Sequence, residues 1–262
     1  MRFKAEIKKC RVFVELIGMF SSLGSQIVFA IGKDVFYIVY KDATTQLYCL
    51  ASLEVDILFN TFDYAAKADD TLYLIVESDS LQKVMQSVKE VETCLITLTK
   101  SSDTSSPCLN FKTTVDQIEV TQEVLVSICK NAEELYKQPT ADAQPDVSGQ
   151  LHSLKAMKQA IDKMSDLSEN VMFSTSSKGD LKLSCESRQS KMEVIFSTNE
   201  TEIEEPLFCC QIRSKHFKKF FTLEKLDPTQ SEYFYQNGLY LILKATISVG
   251  TVILYLPTVQ TS

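Results

Sequence analysis

The sequence has few of the residues on which catalytic and metal-binding sites are commonly built. Seven of its 262 residues are glycine and two are histidine, His152 and His216. Neither histidine has a nucleophile or a second metal ligand at a characteristic spacing. No phosphate-binding loop, dinucleotide-binding, zinc-protease or serine-hydrolase motif occurs. We therefore expect a protein that is not an enzyme and has no cofactor, catalytic or metal site, although an enzyme with a dispersed site stays open.

Long apolar runs are also missing. No stretch approaches the roughly 20 apolar residues that span a bilayer, so we expect no membrane association. The amino-terminal MRFKAEIKKC alternates apolar and polar residues, which is typical of a strand and not of a secretory signal. Most of the eight cysteines stand singly in apolar runs, and none forms a CxxC pair. These features predict an intracellular protein with buried, reduced thiols.

Alternating apolar and polar residues predict many strands. Examples are TLYLIVES (71–78) and VGTVILYLP (249–257). Asn237-Gly238 lies between two such runs, and Lys178-Gly179-Asp180 and Gly32-Lys33-Asp34 separate two further pairs. Asparagine and glycine tolerate the positive φ angles of tight turns, so these positions favour β-hairpins.

Four other segments have apolar residues at intervals of three and four, which is typical of amphipathic helices. Serines near their starts are candidate caps. The segments are 9–24, 80–91, 153–168 and 214–226, and the candidate caps are Ser78 or Ser80, Ser153 and Ser214. Four helices among many antiparallel strands predict an α+β fold.

The order of these elements repeats along the chain, although no residue-level repeat is visible. Each half reads strand, helix, several strands, helix, several strands. The intervening segment contains prolines and small polar residues without a clear period. We therefore predict two similar domains, 1–130 and 149–262, joined by an extended connector, 131–148.

Charge is divided unevenly between the helices and the rest of the chain. The net charge is -7, yet the four helical segments carry +6 and the remainder -13. The most positive is 214–226, where Lys215, Lys218 and Lys219 lie opposite the phenylalanines. An exposed helix face needs solvated residues in any case, and lysine suits that role. The segregation also fits a surface that contacts phosphate without reading sequence.

The chain resembles the Hus family of checkpoint sliding-clamp subunits, relatives of proliferating cell nuclear antigen. The resemblance is carried by MRFKA at the start, by PDVSGQLHSLKAMKQAIDKMSDLSENVMFSTSSKGDLKLSCES (145–187) and by LYLILKATISVGTVILYLPTV (239–259). It is strongest in the second half and faint between 25 and 130. It implies a sliding-clamp fold and a subunit of a ring of three different chains, the nine-one-one complex.

The resemblance implies a scaffold for the DNA damage checkpoint and repair, without enzymatic activity. Its partners would be two other checkpoint-clamp subunits, a clamp loader, repair enzymes and double-stranded DNA bound without sequence preference. The expected location is the nucleus, and also the cytoplasm. Helices would line the central hole, and the residues expected to face DNA are Arg11, Lys83, Lys89, Lys155, Lys158, Lys163, Lys215, Lys218 and Lys219.

The resemblance also implies that strands at two edges pair with neighbouring subunits. One lies around 118–125 and the other around 180–185. The interface residues expected are Ile118, Val120, Val124, Leu167, Asp180, Leu181 and Leu183. The connector would lie beside a groove for partner peptides, where Leu135 and Tyr136 are its only bulky apolar residues.

Two other functions remain open at this point. A homotrimeric replication clamp would have the same fold, because the sequence does not show whether its two edges complement each other. A β-rich enzyme or ligand-binding protein without a DNA role would use its lysines only as a solvated face. The scarcity of histidine and of glycine motifs disfavours that second alternative.

Overall fold

The structure is a computed structural model that describes residues 2–65, 71–129, 138–139, 144–177, 179–197, 206–236 and 238–259. Strands dominate it. In the amino-terminal half they are β1 (Arg2–Ile7), β2 (Gln26–Ile31), β3 (Val35–Asp42), β4 (Leu47–Glu54), β5 (Phe59–Ala65), β6 (Leu72–Glu77), β7 (Cys94–Lys100), β8 (Pro107–Val115) and β9 (Ile118–Cys129). In the other half they are β10 (Val147–Gln150), β11 (Asn170–Ser176), β12 (Leu181–Glu186), β13 (Lys191–Phe196), β14 (Pro206–Arg213), β15 (Gln230–Gln236), β16 (Tyr240–Ile247) and β17 (Gly250–Pro257).

Helices are fewer and follow the predicted segments. They are α1 (Cys10–Ser21), the short α2 (Val55–Leu58), α3 (Ser78–Val88), α4 (Leu154–Leu167) and α5 (Ser214–Phe220), which continues as a 3-10 turn, Phe221–Leu226. The α+β class and the four helical segments are confirmed, while α2 was not predicted. At four residues, α2 is too short to show a helical period.

The chain divides into two compact units. The first comprises Met1–Asp42, Cys49–Lys137 and Ser248–Val252, and the second comprises Ala43–Tyr48, Gln138–Ile247 and Ile253–Ser262. Most of the predicted connector, together with Leu135 and Tyr136, lies outside the described residues. The boundaries 1–130, 131–148 and 149–262 therefore stay a prediction.

In the first unit the strands follow the order β4-β3-β2-β6-β9-β8-β7-β1-β5. The helices α1 and α3 contact each other, α1 contacts β2 and β3, and α3 contacts β6, β8 and β9. The core contains a group of phenylalanine rings in tilted and edge-to-face contact, among them Phe13, Phe29 and Phe36, all buried. Aromatic pairs of this geometry stabilise a core beyond their buried area.

The second unit has two sheets, with orders β10-β15-β16-β17 and β13-β12-β11-β14. Both α4 and α5 pack on β11, and the two helices contact each other. The ring of Phe173 on β11 joins these layers because it contacts Phe217 of α5 and Tyr233 of β15. The hydroxyl of Tyr233 also donates to Thr175 Oγ1 at 3.0 Å, so the buried tyrosine hydroxyl has a hydrogen-bond partner.

Two of the predicted hairpins contain glycine at a positive φ angle. Gly238 (φ 65°) lies between β15 and β16, and Gly179 (φ 89°) lies between β11 and β12. The third, at Gly32, closes between β2 and β3 with a hydrogen bond from Gly32 N to Val35 O of 3.1 Å. The hairpin predictions are therefore confirmed.

Only one of the predicted serine caps is a cap. Ser153 Oγ accepts from Ala156 N at 3.4 Å at the start of α4. The helix α3 is preceded by Glu77, and Ser78 is its buried first residue. The helix α5 is preceded by Arg213, and Ser214 Oγ instead donates to the carbonyls of Ser168 and Glu169 at 2.9 and 3.0 Å. Ser214 thereby ties the start of α5 to the end of α4.

Candidate nucleic-acid interface and subunit edges

A cluster of three lysines occupies the outer face of α5. Phe217 and Phe220 are buried on its inner face, while Lys215 is exposed and Lys218 and Lys219 are half-buried. Burial lowers the pKa of Lys219, and the charges of Lys218 and Lys215 lower it further. Like charges this close favour binding of an anion, since an anion relieves their repulsion. We call these three residues the α5 lysine cluster.

No carboxylate offsets the α5 lysine cluster within the described part of the chain. The only hydrogen bond recorded there for its ammonium groups runs from Lys218 Nζ to Ser165 Oγ at 3.4 Å. Serine is neutral, so that contact orients the lysine without cancelling its charge. The cluster therefore keeps three positive charges for a ligand.

The lysines of α4 are not equivalent to one another. Lys158 Nζ lies 3.2 Å from Glu224 and 3.9 Å from Asp162. Lys155 and Lys163 are exposed, and neither has an ion pair in the described residues. Because Lys158 is already paired, it contributes less positive potential than the other two.

The first unit shows a similar division. Lys89 Nζ lies 3.7 Å from Glu15 Oε1 on α1, so the predicted contact residue is paired with an acid. Arg11 and Lys83 are exposed and have no ion pair among the residues described. Glu15 is one turn of α1 from Arg11 in sequence, and the structure places it within reach of Lys89.

The predicted edge at β9 has an open side. Its residues from Ile118 to Leu125 pair with β8, whereas pairing with β6 begins only at Val126. Ile118 is 66% exposed and Val120 is 37% exposed. Over this stretch β9 therefore pairs on one side only among the described strands, and it also presents apolar side chains.

Val124 differs from the other predicted β9 residues. Its side chain is 1% exposed, and β9 is in contact with α3. The Ser87 hydroxyl of α3 donates to Gln122 Oε1 nearby. Val124 is a core residue, so its side chain cannot contact a neighbouring subunit, and that part of the prediction is wrong.

The second predicted edge is placed on the wrong strand. The strand β12 pairs with β11 on one side and with β13 on the other, so it has no free backbone edge. Leu181 and Leu183 are fully buried, and Asp180 is 7% exposed. These three residues belong to the interior of the second unit.

The edge strands of this sheet are β13 and β14, and β13 is the one next to β12. It pairs with β12 alone among the described strands, and its side chains alternate between exposed Lys191 and Glu193 and half-buried Met192 and Val194. The alternation in KMEVIF was the available sequence signal. It indicates a strand, but only the pairing partners show which strand lies at an edge.

Leu167, at the end of α4, is 40% exposed, so its role at an interface stays a prediction. Ile161 and Met164 on the same helix are fully buried. Those two residues belong to the core, which leaves Leu167 as the exposed large apolar residue of α4.

Metal sites, membrane-spanning helices and disulfides would each indicate a different kind of function. The described residues contain no group of histidine, cysteine and acidic side chains that could hold a metal ion. No described helix is long and apolar enough to cross a membrane. All eight cysteines are free thiols, of which Cys209 is exposed and Cys129 half-buried.

Burial raises the pKa of several of these thiols. The pKa of Cys10 rises to about 11, and those of Cys94 and Cys210 rise to about 12. Desolvation is the largest cause in each case, since a thiolate is poorly accommodated in an apolar interior. Such thiols are inert and structural.

Comparisons with known proteins agree with this geometry. The family model described as Hus1-like protein matches residues 1–260. The checkpoint protein hus1 of Schizosaccharomyces pombe is 26% identical over 192 residues, which cover 70% of this chain and 65% of that protein. The chain thus matches slightly less than two thirds of the length of this relative.

Solved structures identify the fold. Proliferating cellular nuclear antigen from Entamoeba histolytica superposes with a TM-score of 0.79 at 13% identity, covering 98% of this chain and 99% of that one. The same antigen from Thermococcus kodakaraensis gives 0.74 at 13% identity, covering 98% and 100%. The predicted sliding-clamp fold is confirmed. With a family match over nearly the whole chain, this protein belongs to the Hus1-like family.

Proposed function

We propose that this chain is one subunit of a heterotrimeric, ring-shaped sliding clamp that acts in the DNA damage checkpoint and in repair. The observation that carries the proposal is the membership of the Hus1-like family together with the sliding-clamp fold. The relative in Schizosaccharomyces pombe is itself described as a checkpoint protein. The clamp acts as a scaffold and not as an enzyme. It works in the nucleus.

DNA is held without sequence preference by cations on the helices. The α5 lysine cluster is the strongest contact because no carboxylate offsets it within the described residues. Lys155, Lys163, Lys83 and Arg11 add exposed charge, and Lys158 and Lys89 add less because they are paired with acids. Solvated lysines make loose electrostatic contacts with phosphates, and such contacts permit sliding.

The ring closes through strand addition at two edges. The side of β9 that is open between Ile118 and Leu125 pairs with one neighbour, and the free edge of β13 pairs with the other. The neighbours are two other checkpoint-clamp subunits. A clamp loader places the ring on DNA, and repair enzymes bind to it afterwards.

Light scattering after size exclusion tests this assembly. The purified chain is measured alone and then mixed with the two other checkpoint-clamp subunits of the same organism. A monomer near 29.6 kDa that enters a 1:1:1 complex is the expected result. A stable trimer of this chain alone would instead indicate a homotrimeric replication clamp. A monomer that joins no complex would overturn the assignment.

A further inference from the structure

A buried polar group connects the start of β12 to the end of β13. Asp180 is 7% exposed, and its Oδ1 accepts a hydrogen bond from Ser197 Oγ at 2.9 Å. Its Oδ2 accepts from Ser176 Oγ at 3.4 Å, and Ser176 Oγ in turn accepts from Asp180 N at 3.2 Å. A buried carboxylate needs donors of this kind, because withdrawing its charge from water is costly. The hydroxyl of Ser197, directly after β13, is therefore hydrogen-bonded to the carboxylate of Asp180, directly before β12.

An aromatic contact strengthens the same connection. The ring of His152 stacks on Phe196, the last residue of β13, with centroids 5.6 Å apart and planes 27° apart. Burial lowers the pKa of His152, while the charge of Asp180 and a hydrogen bond with the Gly179 backbone act in the opposite direction. The imidazole is thus neutral at neutral pH and packs as an aromatic ring between the β11–β12 hairpin and β13.

The position of this group gives it a role. The strand β13 has β12 as its sole partner in the described residues, so one of its backbone edges is unsupported. Its first end is held by the Ser187–Ser190 turn, where Ser187 Oγ lies 2.9 Å from Ser190 Oγ. At its last end, Phe196 stacks on His152 and Ser197 donates to Asp180. Loss of these contacts would free the strand from its end inward.

We propose that Asp180, Ser197, His152 and Phe196 form a β13 anchor, which fixes the edge strand in register for pairing with a neighbouring subunit. The proposal rests on the proposed function, because it concerns one of the two ring joints. An ordered edge offers all its donors and acceptors together, whereas a frayed edge must first lose conformational entropy. Asp180 is then a positioning residue that acts on the joint through β13 and does not contact the neighbour.

The test compares Ser197→Ala with Ser102→Ala in the full chain. Each variant removes one serine hydroxyl, but Ser102 is exposed and lies in the segment between β7 and β8, away from β13, so the second is a matched control. Hydrogen exchange of the isolated chain should show the amides of 191–196 exchanging about tenfold faster in Ser197→Ala than in the control. Ser197→Thr, which keeps the hydroxyl, should restore protection. Equal exchange in Ser197→Ala and the control would overturn the anchor, whether or not a ring forms.

Ring assembly provides the second measurement. Association of Ser197→Ala with the two other checkpoint-clamp subunits should weaken about five- to twentyfold, while the melting temperature of the isolated chain falls by no more than about 2–4 °C. Faster exchange of β13 combined with unchanged association would overturn the positioning role. If the wild-type chain itself joins no ring, the proposed function and the positioning role both fail. The exchange measurement then decides separately whether the anchor exists.

Discussion

The ammonium group of Lys158 lies 3.2 Å from a carboxylate oxygen of Glu224. Glu224 belongs to the 3-10 turn that continues α5, and Lys158 belongs to α4, so the pair crosses between the two helices. Both side chains are partly shielded, with 29% and 21% exposure. The charge of Lys158 on α4 is therefore offset by Glu224, which follows the α5 lysine cluster along the chain. The surface potential depends on these pairings as well as on the number of lysines.

Removing the acid should release Lys158 for contact with phosphate. In the assembled ring, Glu224→Gln keeps the shape of the side chain but removes its charge. We expect DNA affinity to rise by about two- to fivefold near 0.1 M salt, because one cation gains access to the phosphates and the total charge becomes more positive. Fluorescence anisotropy with labelled double-stranded DNA measures the change.

A control separates release of Lys158 from the change in net charge. Asp166→Asn changes the charge of α4 by the same amount, and Asp166 has no ion pair among the described residues. It should change DNA affinity less than Glu224→Gln does. Equal gains from both variants would show that Lys158 is not the residue released.

The α5 lysine cluster should dominate contact with DNA. Alanine at Lys215, Lys218 and Lys219 together should weaken DNA binding by the ring and reduce its salt dependence, with a slope smaller by up to about three charges. Clamp loading should lose its stimulation by DNA, while ring assembly stays intact because none of the three residues lies on β9 or β13.

The matched control replaces three exposed lysines on strands or hairpins, Lys4, Lys33 and Lys100, with alanine. It removes the same charge from the chain but leaves α5 unchanged. DNA binding by this control should stay close to wild type. If both triple variants lose DNA binding equally, the net charge of the chain determines DNA affinity and the position of the α5 lysine cluster does not.

The contrast between Ile118 and Val124 on β9 gives a test of the first joint. Ile118 is 66% exposed, so Ile118→Asp should leave the melting temperature of the isolated chain nearly unchanged and weaken assembly strongly, since a charge would face the neighbour. Val124 is 1% exposed, so Val124→Ala should destabilise the isolated chain by about 1–3 kcal/mol. Thermal unfolding and light scattering measure the two effects. Assembly that proceeds normally with Ile118→Asp would place the joint elsewhere.

Thiol chemistry reports the burial of the cysteines. Cys209 is exposed, and at pH 8 it should react rapidly with a disulfide reagent in the native protein. With its pKa raised to about 11, Cys10 is about 0.1% thiolate at that pH and is shielded as well, so it should react only after unfolding. Its reactivity should rise with pH as the medium approaches pH 11. Cys209→Ser should abolish the fast phase, and a fast phase that persists would contradict the burial described.

The sequence predicted local structure well because local structure follows local periodicity. The apolar intervals of 153–168 placed α4 within one residue at each end, at Leu154–Leu167, and Ser153 was correctly predicted as its cap. Gly238 was placed correctly in its turn because that turn requires a positive φ angle. Each of these signals lies within a few consecutive residues.

Features that depend on distant residues could not be predicted in this way. The pattern LKLSCE shows that alternate side chains of β12 are buried, but alternation does not reveal that β13 covers its second edge. Lys158 and Glu224 are far apart in sequence, so their ion pair follows only from the packing of α4 against the 3-10 turn. Val124 alternates in phase with Val120, yet Val124 is 1% exposed and Val120 is 37% exposed, and the alternation does not show where along the strand the burial ends.

The open side of β9 has a consequence for the supply of this protein in the cell. Unpaired backbone beside exposed Ile118 and Val120 is a template onto which any extended chain can add, including a second misplaced copy. Surplus copies would therefore be prone to precipitation and to capture by quality control. If neighbouring chains cover this edge as proposed, synthesis in step with them would keep the orphan fraction low, and overproduction of this chain alone should shorten its lifetime.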